Sequence, residues 1–146
     1  MEIKFTKEQY ENLMKLVYLG NWMINAIRTD DRVKKYDELK HYIFSFAKDA
    51  GLDRYIDYDE ESHTYYPSLE LEEDGEIEQY MDDYNDENFW EELIHHLSRR
   101  DLIEAYGEDA IRKMSLEELF EKEEPFIEKY TDELEDHGIK NLRIKE

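Results

Sequence analysis

Two Glu-x-x-His spacings are the residues in this sequence that suggest metal chemistry. Glu38 lies three residues before His41, and Glu92 lies three residues before His95. On facing helices this spacing supplies ligands to di-iron carboxylate sites. At about 100° per residue, however, both histidines fall far from the apolar stripes of their helices and are expected to point to water. Composition alone gives about one such match by chance, so we expect neither a metal nor another cofactor.

Carboxylates and aromatic rings are concentrated in the segment 55–92. From Tyr55 to Ser98 the chain holds 16 Asp or Glu and no Lys or Arg. Carboxylates beside aromatic faces suit Arg and Lys side chains, through charge-assisted hydrogen bonds and cation–π contacts. We therefore predict that this segment docks on a basic protein surface, in one form by imitating the charge of nucleic acid. The predicted binding residues are Asp82, Asp83, Asp86, Glu87, Tyr80, Tyr84 and Trp90. The alternative is a solvated acidic face over aromatic residues that belong to the core.

A second candidate site is polar. Asn21, Asn25 and Arg28 share one face of the first predicted helix and continue a stripe that begins at Tyr10 and Met14. Buried amides and guanidinium groups need partners, because an unpaired amide costs about 1–3 kcal/mol. Pairing with backbone or with a carboxylate such as Asp30 or Asp31 would satisfy them. The alternative is a small polar pocket that binds a ligand or serves an enzyme.

Other catalytic patterns are missing from the sequence. The chain has no cysteine, and its five glycines form neither a G-x-G-x-x-G nor a phosphate-binding loop. It also lacks a G-x-S-x-G elbow. Paired carboxylates are too abundant here to indicate acid–base catalysis. We therefore favour a non-enzymatic protein.

The formal charge of −21 limits the partners that we expect. Such a field repels nucleic acid and anionic membranes and attracts basic protein surfaces. The longest charge-free apolar run, Leu16 to Ile27, is too short to span a bilayer. The first residues carry no signal-peptide pattern, which predicts a cytoplasmic location. The sequence leaves the oligomeric state open.

The elements that must position these residues are mostly helical. We predict a mainly α (α+β) fold as one acidic domain over residues 1–146, with four or five helices around a central N-terminal helix. Thr6 and Gln9 form a capping-box pattern that starts this helix, which runs to about Arg28. Its segment Leu16 to Ile27 is apolar on nearly every side and is expected to be the centre of the core.

The second helix is predicted from Arg32 to Ala50, with Gly51 in the usual C′ position. Its expected buried stripe consists of Tyr36, Leu39, Ile43, Phe46, Ala47 and Ala50. Residues 52–67 lack a helical period and predict a short hairpin. The chain ends, residues 3–5 and 142–144, alternate like strands and could form a terminal strand pair.

The C-terminal half is predicted as several helices. A short acidic helix covers 76–84, and another begins near Asn85 or Asp86 and ends where the phase slips at Arg99. Asp101 with Glu104 predicts a new start, and Gly107 a link between short helical turns. Ser115 with Glu118 then predicts the cap of a last helix that ends before Gly138, with a kink at Pro125.

Overall fold

The structure, a computed structural model, describes residues 2–144 and divides into two compact units, Met1–Asp82 and Asp83–Glu146. Over the described residues it contains six helices and one small antiparallel sheet of two strands. The mainly α class with a small hairpin is confirmed. That the chain forms a single domain stays a prediction. No helix in residues 2–144 has the length and apolarity to cross a membrane.

The first unit contains α1 (Lys7–Asn25), α2 (Lys34–Phe44), a 3-10 turn (Asp53–Tyr55), β1 (Ile56–Asp59), β2 (Thr64–Pro67) and α3 (Leu69–Glu72). Helix α4 (Gly75–Tyr106) begins in the first unit and ends in the second. The second unit continues with α5 (Glu108–Ile111) and α6 (Leu116–His137).

Helix α1 begins where the sequence predicts and buries a different face from the one expected. The Thr6 side chain accepts the Gln9 amide N–H, and the Gln9 side chain accepts that of Thr6, which is a complete capping box. The prediction that Leu16 to Ile27 forms the centre of the core is wrong, because Leu16 is 66% exposed and Ile27 is 89% exposed. The buried face consists of Tyr10, Met14, Asn21 and Asn25. Neighbouring elements of this unit cover that face and only partly cover Leu13, Val17, Tyr18 and Leu19 beside it.

Helix α2 is shorter than predicted. It ends at Phe44, and turns rather than helix cover the residues up to Ala50. The predicted stripe is half correct: Ala47 is buried and Ile43 and Ala50 pack against the core, whereas Tyr36, Leu39 and Phe46 are exposed. The residues that α2 itself buries are Lys40 and Phe44. The buried face of α2 differs from the predicted one because the hairpin packs on the side of α2 that carries His41. There His41 Nδ1 lies 2.7 Å from the carbonyl oxygen of Tyr65.

The predicted hairpin is present. Strands β1 and β2 pair antiparallel, with Tyr58 opposite Tyr65 and their ring centroids 4.8 Å apart. Asp59 fixes the connecting turn, because its carboxylate accepts the Ser62 amide N–H at 2.9 Å. After β2, the Ser68 hydroxyl donates to the Arg54 carbonyl oxygen at 2.6 Å, which holds the hairpin exit on the 3-10 turn.

The core of the first unit lies between α1, α2, the hairpin and the start of α4. Its buried apolar side chains are Tyr10, Met14, Phe44, Ala47, Leu52, Tyr55, Leu71 and Ile77. Asp74 caps α4 by accepting the Glu76 and Ile77 amide N–H groups at 3.1 and 3.3 Å. Lys15 of α1 reaches the Asp74 carboxylate at 3.0 Å, so the same residue starts α4 and ties it to α1.

Helix α4 replaces the separate helices that the sequence predicts between residues 76 and 106. It runs through Arg99 without a break, so the predicted new start at Asp101 is wrong. The carboxylate of Asp101 accepts tertiary hydrogen bonds instead of capping a helix. Short helix α3, before α4, was not predicted.

The end of the chain follows the predicted caps. Gly107, with φ of +78°, separates α4 from α5. The Ser115 hydroxyl accepts the Glu118 amide N–H, and α6 ends at His137 before Gly138. Pro125 lies inside α6 without ending it, and the kink stays a prediction. The predicted terminal strand pair is wrong, since residues 3–5 and 142–144 form no strand.

Candidate functional site

Within the second unit, α4 and α6 pack antiparallel. Near the end of α4, the Lys122 ammonium of α6 lies 4.9 Å from the centre of the Tyr106 ring. Earlier in α4, the ring of Trp90 approaches Gly138, where an added Cβ atom would lie 3.9 Å from it. Later residues of α4 therefore meet earlier residues of α6. The two helices form a helical hairpin closed by α5.

A groove of about 610 Å³ opens between these two helices. Its walls come from α4 and α6 and are lined by Glu87, Trp90, Glu91, Ile94, His95, Ile127, Thr131, Leu134 and Glu135. Trp90, Ile94, Ile127 and Leu134 supply its apolar surface. Of these four, Leu134 is buried and the other three are half-buried. The groove is therefore an apolar depression that the second unit does not fill.

Carboxylates stand on both walls of the groove. Glu87 and Glu91 belong to α4, and Glu135 belongs to α6. All three are exposed, and none forms an ion pair with a described residue. No Lys or Arg is among the lining residues. The groove thus combines an apolar floor with a negative rim.

Trp90 is the largest side chain in the groove, and it packs against its neighbour. Its ring meets that of Phe89 edge to face, with centroids 5.0 Å apart. Phe89 itself is half exposed. A half-buried indole can stack on an apolar side chain or on an arginine guanidinium.

A charged cluster fixes the two helices near the groove. The Tyr130 hydroxyl donates to Asp101 at 2.6 Å, and the Lys129 ammonium donates to the same carboxylate at 2.9 Å. The Arg100 guanidinium donates to Asp101 at 2.8 Å and to the Tyr130 oxygen at 2.7 Å. Burial alone would raise the pKa of Asp101, but these hydrogen bonds outweigh it and hold the pKa far below its usual range.

The structure brings two of the predicted binding residues to the groove, Glu87 and Trp90. Asp83, Tyr84 and Asp86 are exposed on the same stretch of α4 but do not line it. Asp83 and Asp86 add negative charge to this stretch of α4.

The remaining two belong to the first unit. Asp82 is exposed, and Tyr80 donates its hydroxyl proton to Glu76 at 3.1 Å. Glu76 in turn accepts the Lys15 ammonium at 2.8 Å. Burial alone would lower the pKa of Lys15, but its hydrogen bonds to Glu76 and Asp74 outweigh burial and raise it. Tyr80 thus belongs to an ion-pair network of the first unit.

The groove residues of α6 carry no pattern in the sequence that marks them as a site. In sequence, Ile127 and Leu134 share an apolar stripe of the last helix, and Ile94 belongs to that of its own helix. The stripes were visible in the sequence, but which parts of them remain uncovered depends on how α4 and α6 pair. Glu135 carried no signal that separates it from the other carboxylates.

The polar face of Asn21, Asn25 and Arg28 is engaged within the first unit. The Asn25 side chain is 1% exposed and accepts the Val33 amide N–H at 2.8 Å, which joins the end of α1 to the start of α2. Asn21 donates to Asp37 at 3.0 Å. Arg28 donates to the carbonyl oxygen of Ile24 at 2.8 Å and to Asp31 at 2.8 Å.

The guanidinium of Arg32 also takes part in these contacts between α1 and α2. Arg32 donates to both carboxylate oxygens of Asp37, at 2.7 and 3.0 Å, and this contact, assisted by Asn21, lowers the pKa of Asp37. These hydrogen bonds satisfy the polar side chains of this helix face, so no ligand is needed to explain their burial. A ligand pocket at this place stays a prediction.

The two Glu-x-x-His pairs lie in different units. The prediction that His41 of the first unit points to water is wrong. Its Nδ1 faces the Tyr65 carbonyl oxygen, and its ring packs on Tyr66. His95 of the second unit is exposed and lines the groove. Over residues 2–144, no group of three or more His, Asp or Glu side chains is arranged to hold a metal ion.

Comparisons with protein-family models, with curated proteins and with solved structures find no match to this chain.

Proposed function

We propose that the chain is a non-enzymatic binding module whose acidic, aromatic-rich segment 55–92 docks a basic protein surface. The observation that carries the proposal is the groove of the second unit, which Trp90 lines together with Glu87, Glu91 and Glu135. Basic side chains would pair with the rim while their aliphatic stems cover the apolar floor.

The character of the groove favours a protein partner over a substrate. His95 and Thr131 both line it, but no hydrogen bond joins them or links either to a lining carboxylate within the described residues. A hydroxyl nucleophile needs an adjacent base at hydrogen-bond distance. The groove is open and bordered by like charges, which suits a wide, wet contact with positive side chains.

The charge of the chain supports the same partner class. A formal charge of −21 opposes contact with nucleic acid and with anionic membranes, and it accelerates association with basic proteins at low salt. A basic protein that normally grips DNA is one such partner. The chain would then displace DNA from that protein, because both present dense negative charge to the same surface.

The proposal is tested with a variant in which the predicted carboxylates become amides: Asp82→Asn, Asp83→Asn, Asp86→Asn and Glu87→Gln. The probe is a fluorescent peptide rich in Lys and Arg and without apolar periodicity, followed by anisotropy at low and moderate salt. We expect about tenfold weaker binding of the variant at low salt and a shallower salt dependence.

A matched variant controls for net charge. Glu104, Asp109, Glu117 and Glu128 are exposed residues of the second unit that make no ion pair with a described residue and do not line the groove. Changing these four to amides removes the same formal charge. Binding should stay within about threefold of wild type. Equal weakening in both variants would show attraction by total charge alone and would overturn the docking surface.

A further inference from the structure

The second unit is a helical hairpin with an incomplete core. Its buried side chains within residues 83–144 are Ser98, Leu102, Ile111, Tyr130 and Leu134. Large apolar side chains of the same unit stay exposed, including Phe89, Leu116 and Phe120. Two packed helices bury only the stripes that face each other, and a third helix commonly covers the groove between them.

We infer that the groove between α4 and α6 receives an amphipathic basic α-helix of the partner protein, which packs as a third helix. This inference rests on the proposed function and specifies the element of the partner that binds. The helix places an apolar stripe on Trp90, Ile94 and Ile127, with Lys or Arg on both flanks of that stripe.

The length of the groove fits two turns of helix. Along α4 its lining runs from Glu87 to His95, and along α6 from Ile127 to Glu135. At a rise of about 1.5 Å per residue, each wall is about 12 Å long. A helix lying along it presents apolar residues at positions i, i+3, i+4 and i+7 over that distance.

The charges of the rim define the flanks of the partner helix. Glu87 and Glu91 are four residues apart and therefore lie on one face of α4, while Glu135 stands on the opposite wall. A helix between these walls has carboxylates on both sides of its apolar stripe. Lys and Arg on both flanks match that arrangement, and Arg can also stack on Trp90.

Other occupants fit less well. A peptide that binds by adding a β-strand needs the edge of a sheet, and residues 83–144 contain no strand. A second copy of the chain would bring the same carboxylates against one another, which costs binding energy through like-charge repulsion. A lipid surface with anionic headgroups is repelled by the same rim.

The test uses Trp90 as the reporter. The chain has two tryptophans, Trp22 and Trp90, so Trp22→Phe leaves Trp90 as the only one. The first probe is a peptide of Leu, Lys and Arg with leucines at i, i+3, i+4 and i+7. The second is a shuffled peptide of the same composition without that period. We expect the periodic peptide to shift Trp90 emission to the blue and to bind at least about tenfold more tightly than the shuffled one.

Two variants locate the binding site of the periodic peptide. Replacing the groove residues, Ile94→Ser with Ile127→Ser, should weaken binding at least about tenfold. The matched control, Leu116→Ser with Phe120→Ser, changes exposed apolar residues of α6 outside the groove and should leave binding unchanged. Circular dichroism checks that each variant keeps its helix content.

A charge variant keeps the inference testable if the groove substitutions disturb folding. Changing Glu87, Glu91 and Glu135 to Gln should weaken the periodic peptide more than changing Glu104, Glu128 and Asp132 to amides, at equal formal charge. Equal binding of periodic and shuffled peptides would overturn the helix inference and leave the proposed function standing. If neither peptide binds, both fail.

Discussion

The Tyr130 hydroxyl of α6 donates a hydrogen bond to the Asp101 carboxylate of α4 at 2.6 Å. Lys129 and Arg100 donate to the same carboxylate, whose side chain is 14% exposed. This cluster joins the two helices that form the groove. Its loss should therefore affect both the stability of the second unit and the shape of the candidate site.

Asp101→Asn should destabilise the second unit by about 1–3 kcal/mol, because the charge-assisted hydrogen bonds to its partly buried carboxylate are lost. The measurement is urea unfolding followed by Trp90 fluorescence in the Trp22→Phe background. Tyr130→Phe removes one donor to Asp101 and the oxygen that accepts from Arg100, and it should cost about 1 kcal/mol. The exposed substitution Asp109→Asn is the control and should change little. Equal stability of the Asp101→Asn variant and wild type would contradict a structural role for the cluster.

The same cluster predicts a dependence of stability on pH. The folded-state pKa of Asp101 lies far below the value of about 3.9 in an unfolded chain. Its contribution is therefore fully present above about pH 4 and is lost as the pH falls through the folded-state pKa. Acid also relieves repulsion among the other carboxylates, so the quantity to compare is the difference between wild type and Asp101→Asn. That difference should shrink below about pH 4, and a constant difference would contradict the assignment.

Asn25→Ala should destabilise the first unit by about 2 kcal/mol. The substitution leaves the Val33 amide N–H without its acceptor and opens a space at a side chain that is 1% exposed. Asn12→Ala in the exposed part of α1 is the matched control. Thermal unfolding followed by Trp22 fluorescence in the Trp90→Phe background measures both. If Asn25 serves only a ligand, the two variants will have equal stability.

Lys40→Met should stabilise the first unit by about 1 kcal/mol at neutral pH. Lys40 is buried, and no carboxylate of the described residues lies within 4.0 Å of its ammonium. Burial, only partly offset by Asp37, lowers its pKa. Because the unfolded chain then binds more protons, wild-type stability rises as the pH rises towards the usual lysine range. The advantage of Lys40→Met should shrink over the same range, and exposed Lys48→Met should show no such trend.

Local signals predict two of the helix starts correctly. The capping boxes at Thr6 and Ser115 depend on residues three positions apart, so the sequence contains all the information that they need. The stripe from Tyr10 through Asn21 and Asn25 is likewise a property of one helix, and the structure buries it.

Predictions that depend on neighbouring elements were less successful. Asp101 resembles a helix start in sequence, but its carboxylate is taken by Tyr130, which lies 29 positions later. The apolar segment from Leu16 to Ile27 does not reveal which of its sides other elements will cover. In α2, packing of the hairpin on His41 turns Lys40 inward, which apolar periodicity alone does not favour.

The groove residues also differ in whether local sequence or the packing of neighbouring elements makes them part of the site. Trp90 and Glu87 were identified because acidic and aromatic residues cluster along the chain. Ile127 and Glu135 become part of the site only through the antiparallel packing of α4 and α6. A binding surface built from two helices is therefore predicted from sequence only on the helix that carries the unusual composition.

Ser98 supplies a last test, of the packing inside the second unit. Its side chain is fully buried, and its Oγ has no hydrogen-bond partner among the described residues. Ser98→Ala removes this unpaired hydroxyl without changing the helix, so it should raise the free energy of unfolding by about 1 kcal/mol. Ser115→Ala removes a hydroxyl that caps α6 and should lower the same free energy by about 1 kcal/mol. If urea unfolding gives changes of opposite sign in the free energy of unfolding for the two variants, the packing around Ser98 is supported. Destabilisation by Ser98→Ala would show that the hydroxyl has a partner, such as a bound water.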